Sequence, residues 1–160
     1  MNVREFVARQ FVPAPRREVF AFFERPENLA RITPARMGFR ILTPSPLRMK
    51  EGALIDYTVR VAGIPVRWRT LITAYDPPRS FTDEQLKGPY SFWHHTHTFE
   101  EDQGGTRMTD RVLYALPMSP LSAPFHPMVR RELDAIFSHR ARVLEGVFPD
   151  SRGEETGRGG

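Results

Sequence analysis

The sequence contains no cysteine and no long apolar segment. Without cysteine there is no disulfide framework and no thiolate chemistry, and this composition favours a cytoplasmic location. Residues 1–10 carry Arg4, Glu5 and Arg9 among their apolar residues, so they lack the apolar core of a signal peptide. No apolar run approaches the ~20 residues that a membrane-spanning helix needs, so we predict no membrane insertion.

Lysine is also scarce, because the positive charge is carried almost entirely by arginine. The 23 basic residues exceed the 19 acidic ones and give a net charge of +4, but acids and bases alternate along the chain without a basic block. No nucleic-acid-binding motif is present, so we predict no nucleic-acid partner. The 40% apolar and 26% charged fractions are those of a folded globular protein, and 160 residues suit one domain.

Strand patterns dominate the middle of the chain. Residues 3–12 alternate as a first strand, Phe39 and Ile41 suggest a short second one, and five longer strands follow at roughly 12-residue spacing with turn signals between them. These five are predicted at 53–62, 65–75, 80–86, 91–101 and 106–116. Gly63-Ile64 indicates one hairpin and residues 102–105 another. Strands that follow each other this closely indicate an antiparallel meander rather than βαβ units.

Helical patterns flank the strands. Two short helices are predicted at 16–24 and 27–32, separated by Pro26. From Pro127 to near Pro149, apolar residues at helical spacing predict one helix of about 20 residues. We therefore predict an α+β fold in residues 1–148, with about six or seven antiparallel strands curved around this C-terminal helix, and a disordered tail at 149–160. The space between sheet and helix would hold a ligand.

Three segments resemble a known superfamily. They are PAPRREVFAFFERPENLARITP (13–34), WRTLITAYDPPRSFTDEQLKGPYSFWHHTHTFEE (68–101) and GGTRMTDRVLYALP (104–117). Together they are similar to the START-like helix-grip superfamily, abbreviated SRPBCC, which includes pollen-allergen-like proteins, lipid-transfer domains and polyketide cyclases. The resemblance is to a bacterial branch and covers about residues 1–148. It implies the helix-grip fold and a role as carrier, sensor, cyclase or chaperone cofactor.

A histidine cluster is the most distinctive chemical feature. On the predicted strand 91–101, His95 and His97 share a face with Trp93, whereas His94 points the other way. Asp110 on the next strand would lie near them and would need a partner if buried. Such a group could fix the sheet, contact a ligand or act as an acid/base pair. Glu84 or Asp110 could also complete a metal site, but the spacing matches no established zinc motif, so we predict neither metal nor cofactor.

The leading functional hypothesis is binding or transport of a small hydrophobic molecule, such as a lipid, an aromatic or a polyketide-like compound. The expected ligand-binding residues are Tyr57, Trp68, Glu84, Trp93, His95, His97, Phe99, Asp110, Tyr114 and Phe137. One alternative is a metal-free cyclase, dehydratase or hydrolase that uses a pair formed by His95 or His97 with Asp110. A second is a protein-interaction or chaperone-cofactor module. A monomer and a homodimer are both compatible with the sequence.

Overall fold

A computed structural model describes residues 1–150 and confirms the predicted α+β architecture. Seven strands form one antiparallel sheet in the order β1-β7-β6-β5-β4-β3-β2. The strands are β1 (Arg4–Val12), β2 (Arg40–Ile41), β3 (Leu54–Val61), β4 (Ile64–Asp76), β5 (Ser80–Lys87), β6 (Phe92–Asp102) and β7 (Gly105–Ala115). The predicted tail at 149–160 lies, from residue 151 onward, outside the described residues.

The helices lie before and after the meander, as predicted. Helix α1 (Arg16–Phe23) starts after Pro15, and a 3-10 helix at Pro26–Ala30 takes the place of the predicted second helix. Helix α2 (His126–Val147) has 22 residues, with proline in its first turn, where the missing N–H costs nothing. Within residues 1–150, no helix combines the length and apolar character needed to cross a bilayer.

Two tight hairpins set the register of the meander. Ala62 and Gly63 join β3 to β4 with φ of 50° and 78°, and Gln103 and Gly104 join β6 to β7 with φ of 48° and 77°. Positive φ at both central residues is the geometry that matches the twist of the flanking strands. The first turn is therefore one residue earlier than the predicted Gly63-Ile64, because Ile64 already pairs with Val61.

Irregular pairing affects the sheet between β4 and β5. The register shifts between Arg69 and Thr70 and again between Ile72 and Ala74. Extra residues of this kind bend a strand and increase its local twist. Because these shifts lie in the middle of the sheet, they favour a curved surface with a hollow inner face.

Helix α2 closes that inner face with one buried stripe. Leu133, Phe137, Arg140 and Leu144 recur at helical spacing and are all buried. Leu133 and Phe137 belong to a core cluster with β1 and β7, while Leu144 belongs to a larger cluster around α1. The helix is thus anchored at two points along its length, which fixes its distance from the strands between them.

We expect Leu144→Ala to destabilise the fold because Leu144 is 1% exposed and its truncation leaves a void in the larger core cluster. Deletions of buried leucine side chains cost about 2–5 kcal/mol in free energy of unfolding, measurable by urea denaturation. Leu121→Ala is the matched control, because Leu121 is 72% exposed and should change that free energy by no more than about 0.5 kcal/mol. Equal losses in both variants would contradict this packing of α2.

Candidate functional site

A cavity of about 640 Å³ lies between the inner face of the sheet and α2. Small-molecule sites are typically concave, largely apolar and roughly 300–1,000 Å³ in volume. Among the residues that line this cavity, Arg36 donates hydrogen bonds of 2.8 and 3.0 Å to the carboxylate of the half-buried Glu132 on α2. The cavity wall is rich in aromatic side chains, contributed by Phe39, Tyr57, Trp68, Tyr90, Trp93 and Phe137.

Trp68 stands at the centre of the aromatic wall. Its ring stacks on Tyr57 with centroids 5.8 Å apart and meets Trp93 edge-on at 5.2 Å. The Trp68 side chain is buried, but its Nε1–H has no hydrogen-bond partner among the described residues. A buried donor without an acceptor costs free energy, so an acceptor atom on a bound molecule would be stabilised there.

Four polar side chains meet on the inner face of β5, β6 and β7. The register pairs Asp83 with His95 and His97 with Asp110, and alternation along each strand directs all four side chains to the same face. His95 and His97 have ring centroids only 3.7 Å apart, and His97 also stacks on Phe81 at 4.1 Å. The two imidazoles are therefore held in fixed positions between two carboxylates.

Each carboxylate contacts both imidazoles. His97 Nε2 lies 2.7 Å from Asp83 Oδ2, and His95 Nδ1 lies 3.7 Å from the same oxygen. On the far side, Asp110 Oδ1 lies 2.8 Å from His95 Nε2 and 3.0 Å from His97 Nδ1. The contact with His97 Nδ1 is an ion-pair distance only, since that atom makes no hydrogen bond of good geometry.

Arg140 brings the helix into this network. It donates a 3.4 Å hydrogen bond from Nη1 to Asp110 Oδ1, and its guanidinium lies over the ring of Phe137 at 4.7 Å. Arg140 is 7% exposed and Asp110 is 5% exposed, so this is a buried pair of opposite charges. A buried charge is tolerated only when it is paired, and here the partner comes from the opposite layer of the fold.

Burial and neighbouring charges oppose each other in setting the pKa values. Burial alone would raise the pKa of Asp110, but its contacts with the two histidines and the charge of Arg140 hold that pKa well below its ordinary value. Burial also raises the pKa of Asp83, but His95 and His97 outweigh it, so that this pKa is lowered. Burial lowers the pKa of His95, whereas the carboxylates of Asp110 and Asp83 overcome burial and raise the pKa of His97.

The structure divides the predicted ligand-binding residues into two groups. Six of them line the cavity: Tyr57, Trp68, Trp93, His95, His97 and Phe137. Asp110 lies behind the histidines, and Phe99 and Tyr114 are buried in the two core clusters. Glu84 requires a correction, because it lies on the opposite face of β5 and bonds to His94 at 2.6 Å.

Sequence reasoning missed Asp83 and Arg140, both of which line the cavity. Asp83 shares a face of β5 with Phe81, and this apolar neighbour two residues away was the available signal. Arg140 follows Phe137 by three residues on the buried stripe of α2, so its position on the helix was the signal. One ligand atom from each of Asp83, His95 and His97 lies within 4.8 Å of the others, a spacing that could hold a metal ion.

Several solved structures share this fold at low sequence identity. The Zhui aromatase/cyclase from Streptomyces sp. R1128 is 16% identical over 98% of this chain and 99% of its own, with a TM-score of 0.74. A protein from Thermus thermophilus, TTHA0849, is 15% identical over 90% and 99%, with a TM-score of 0.70. Major latex-like protein 151 from Panax ginseng is 15% identical over 92% and 98%, with a TM-score of 0.65. At this identity the likeness establishes the fold alone.

Comparison of the amino-acid sequence with known proteins and families goes beyond the likeness in fold. No curated protein matches the chain by sequence. The family model described as polyketide cyclase/dehydrase and lipid transport, however, matches residues 12–137, which is most of the chain and includes β5, β6, β7 and the first half of α2. The chain therefore belongs to the polyketide cyclase/dehydrase and lipid-transport family.

Proposed function

We propose that the protein binds a small aromatic or polyketide-like molecule, with the polar group of that molecule against Asp83, His95 and His97. The observation that carries the proposal is a cavity of about 640 Å³ with an aromatic wall and this polar cluster on its sheet side. Membership of the family supports hydrophobic-ligand binding in general. A protein-interaction role would instead call for a wide exposed apolar groove.

The aromatic wall favours a planar ligand over a flexible chain. Trp68 and Tyr57 stack nearly parallel, with 16° between their planes, and Trp93 stands at 90° to Trp68. Offset and edge-on ring contacts of this kind contribute about 0.5–1.5 kcal/mol each beyond the burial of area. A fused or preorganised ring system can make such contacts without losing the torsional freedom that an alkyl chain loses on binding.

Polar contacts decide affinity in a cavity of this size. Burying roughly 250 Å² of apolar ligand surface gives about 6 kcal/mol at 25 cal/mol per Å². Association itself costs about 4–15 kcal/mol, so apolar burial alone binds weakly. A hydroxyl that donates to Asp83 and a carbonyl that accepts from the unpaired Trp68 Nε1–H would each add to affinity, and hydroxylated aromatic ketones offer both groups.

The two tryptophans allow a direct binding test. Trp68 and Trp93 are the only tryptophans in the chain and both line the cavity, so intrinsic fluorescence reports on its occupancy. We expect 1-naphthol and 1,8-dihydroxyanthraquinone to quench this fluorescence saturably with one site per chain, and palmitate to bind more weakly. Trp68→Phe should weaken dihydroxyanthraquinone binding about fivefold to tenfold, because it removes one donor worth about 1 kcal/mol and keeps an aromatic ring.

Trp93→Phe is the matched control, since Nε1 of Trp93, unlike that of Trp68, is not both buried and without a hydrogen-bond partner. It should leave the dissociation constant within about twofold, while Trp68 supplies the signal. Quenching no stronger than that of free N-acetyltryptophanamide by the same compounds would overturn the proposal. Tighter binding of palmitate than of the two aromatic compounds would instead indicate that the ligand is a lipid.

A cyclase or dehydratase reaction in the same cavity is a second candidate function. The observation in its favour is the 2.8 Å contact between His95 Nε2 and Asp110 Oδ1, combined with the position of His95 on the cavity wall. A carboxylate in this position orients an imidazole for proton transfer to or from a bound molecule. The Zhui protein is named an aromatase/cyclase, which supports testing this chemistry.

Turnover of a poly-β-ketone thioester surrogate, followed by mass spectrometry, tests this candidate. We expect Asp110→Asn to lower kcat at least 100-fold, because the imidazole loses its orienting carboxylate. The dissociation constant of 1-naphthol should stay within about threefold, because Asp110 does not line the cavity. Glu84→Gln alters the equivalent pair with His94 on the outer face and should leave kcat unchanged. A wild-type protein without turnover above the buffer rate would leave binding as the only function.

A further inference from the structure

We propose that Asp83, His95 and His97 form a binding site for a divalent transition-metal ion, with its open side toward the cavity. One ligand atom from each residue lies within 4.8 Å of the other two, and all three residues line the cavity. Two imidazoles and one carboxylate are a donor set that suits Zn²⁺ or Fe²⁺. The spacing of His95 and His97 indicates two members of this set, but the third, Asp83, comes from the neighbouring strand and takes the place of the Glu84 or Asp110 expected from the sequence.

The spacing of the donor atoms fits a metal with small adjustments. Ligand atoms at about 2.0–2.1 Å from a tetrahedral zinc ion lie about 3.3 Å from each other. Asp83 Oδ2 lies 2.7 Å from His97 Nε2 and 3.7 Å from His95 Nδ1, so the two distances lie on either side of that value. A shift of the Asp83 side chain toward His95 would make these two distances more equal, and the ligand nitrogens of the two histidines would have to approach the same spacing from a separation within 4.8 Å.

The orientation of the two rings is the strongest argument. One nitrogen of each ring points toward Asp83 and the other points toward Asp110 Oδ1, at 2.8 Å for His95 Nε2 and 3.0 Å for His97 Nδ1. Asp110 thus binds the N–H of His95 through a hydrogen bond and lies at ion-pair distance from Nδ1 of His97, in both cases on the side away from the cavity. Metal-binding histidines usually donate their second N–H to such a carboxylate, which fixes the tautomer and orients the ring.

Of the two nitrogens on the Asp83 side, His95 Nδ1 is free to bind an ion, whereas His97 Nε2 must first give up its 2.7 Å hydrogen bond to Asp83. Among the described residues, no hydrogen bond reaches His95 Nδ1, which lies 3.7 Å from the Asp83 carboxylate. A lone pair opposite a carboxylate calls for a proton or a cation between them. When the metal binds, the proton shared between His97 Nε2 and Asp83 leaves to solvent.

Charge is compatible with the same assignment. Asp83 and Asp110 carry two negative charges, which the charge of Arg140 and the proton between His97 Nε2 and Asp83 balance. A divalent ion that displaces this proton leaves the cluster with one excess positive charge, which a bound hydroxide or an ionised ligand oxygen would balance. Three protein ligands leave at least one coordination position open, as in catalytic rather than structural zinc sites.

Metal binding is measured with Zn²⁺ and Co²⁺ alone, so it does not depend on the proposed ligand. The protein is stripped with a chelator and titrated with Zn²⁺ against a chromophoric competitor, and Co²⁺ is followed by its visible absorption. We expect one high-affinity ion per chain. Asp83→Asn and His97→Gln should each weaken Zn²⁺ binding at least 100-fold, and Asp110→Asn, which removes the orienting carboxylate and keeps all three metal ligands, about 10–100-fold.

His94→Gln is the matched control, because His94 forms a single 2.6 Å pair with Glu84 on the outer face of the same strands. It should leave Zn²⁺ affinity within twofold. Fewer than one bound ion per wild-type chain, or equal affinities in Asp83→Asn and His94→Gln, would overturn the site.

Circular dichroism shows whether the inner variants fold, and crystals of the wild-type protein provide a test that needs no variant. After a Zn²⁺ soak, anomalous density should lie between Asp83, His95 and His97. An anomalous peak only at other residues would contradict the proposal. Binding of 1-naphthol to the metal-free protein is measured separately, so a failure of the metal site and a failure of the ligand proposal are distinguishable.

Discussion

Two carboxylates on the inner face of the sheet, one buried and one half-buried, are the constraint on which the rest of the structure depends. Asp110 is 5% exposed, and Asp83, whose side chain is 17% exposed, lies within hydrogen-bonding distance of the buried His97. Unpaired charges in such surroundings would cost several kcal/mol each, so partners must be built around them. The histidines of β6 supply one set of partners from within the sheet, and Arg140 supplies another from α2.

This pairing links the sheet to helix α2, and the cavity lies beside the linked residues. The Arg140 guanidinium reaches Asp110 only if α2 keeps a fixed rotation about its axis and a fixed distance from β7. Leu133 and Leu144 set this rotation and this distance, because each packs into one of the two core clusters. The helix is thereby held near β1 and β7, while the irregular pairing of β4 with β5 favours a sheet that curves on its other side. The cavity lies between these two regions, with the polar cluster on its sheet side.

Sequence patterns predicted the fold well because turn chemistry and periodicity are local. The helix predicted from Pro127 is observed at His126–Val147, and the face of β3 that carries Tyr57 does line the cavity. The site was harder to predict because it depends on register across strands. The alternation within 80–86 is too short to show that Asp83 faces inward and Glu84 outward; only pairing with His94 and His95 decides it. Arg140 was missed because charged helix residues are usually solvent-exposed.

One short segment, His94 to His97, shows how burial converts the same residue type into different chemistry. His94 and Glu84 form a pair whose side chains are 32% and 36% exposed, and a single pair of this kind in contact with water contributes little to stability. One residue later, the chain places His95 against two carboxylates, a second imidazole and the cavity. There, low solvent access strengthens every electrostatic contact, so we expect a proton, a metal ion or a ligand hydroxyl to bind more strongly than on the outer face.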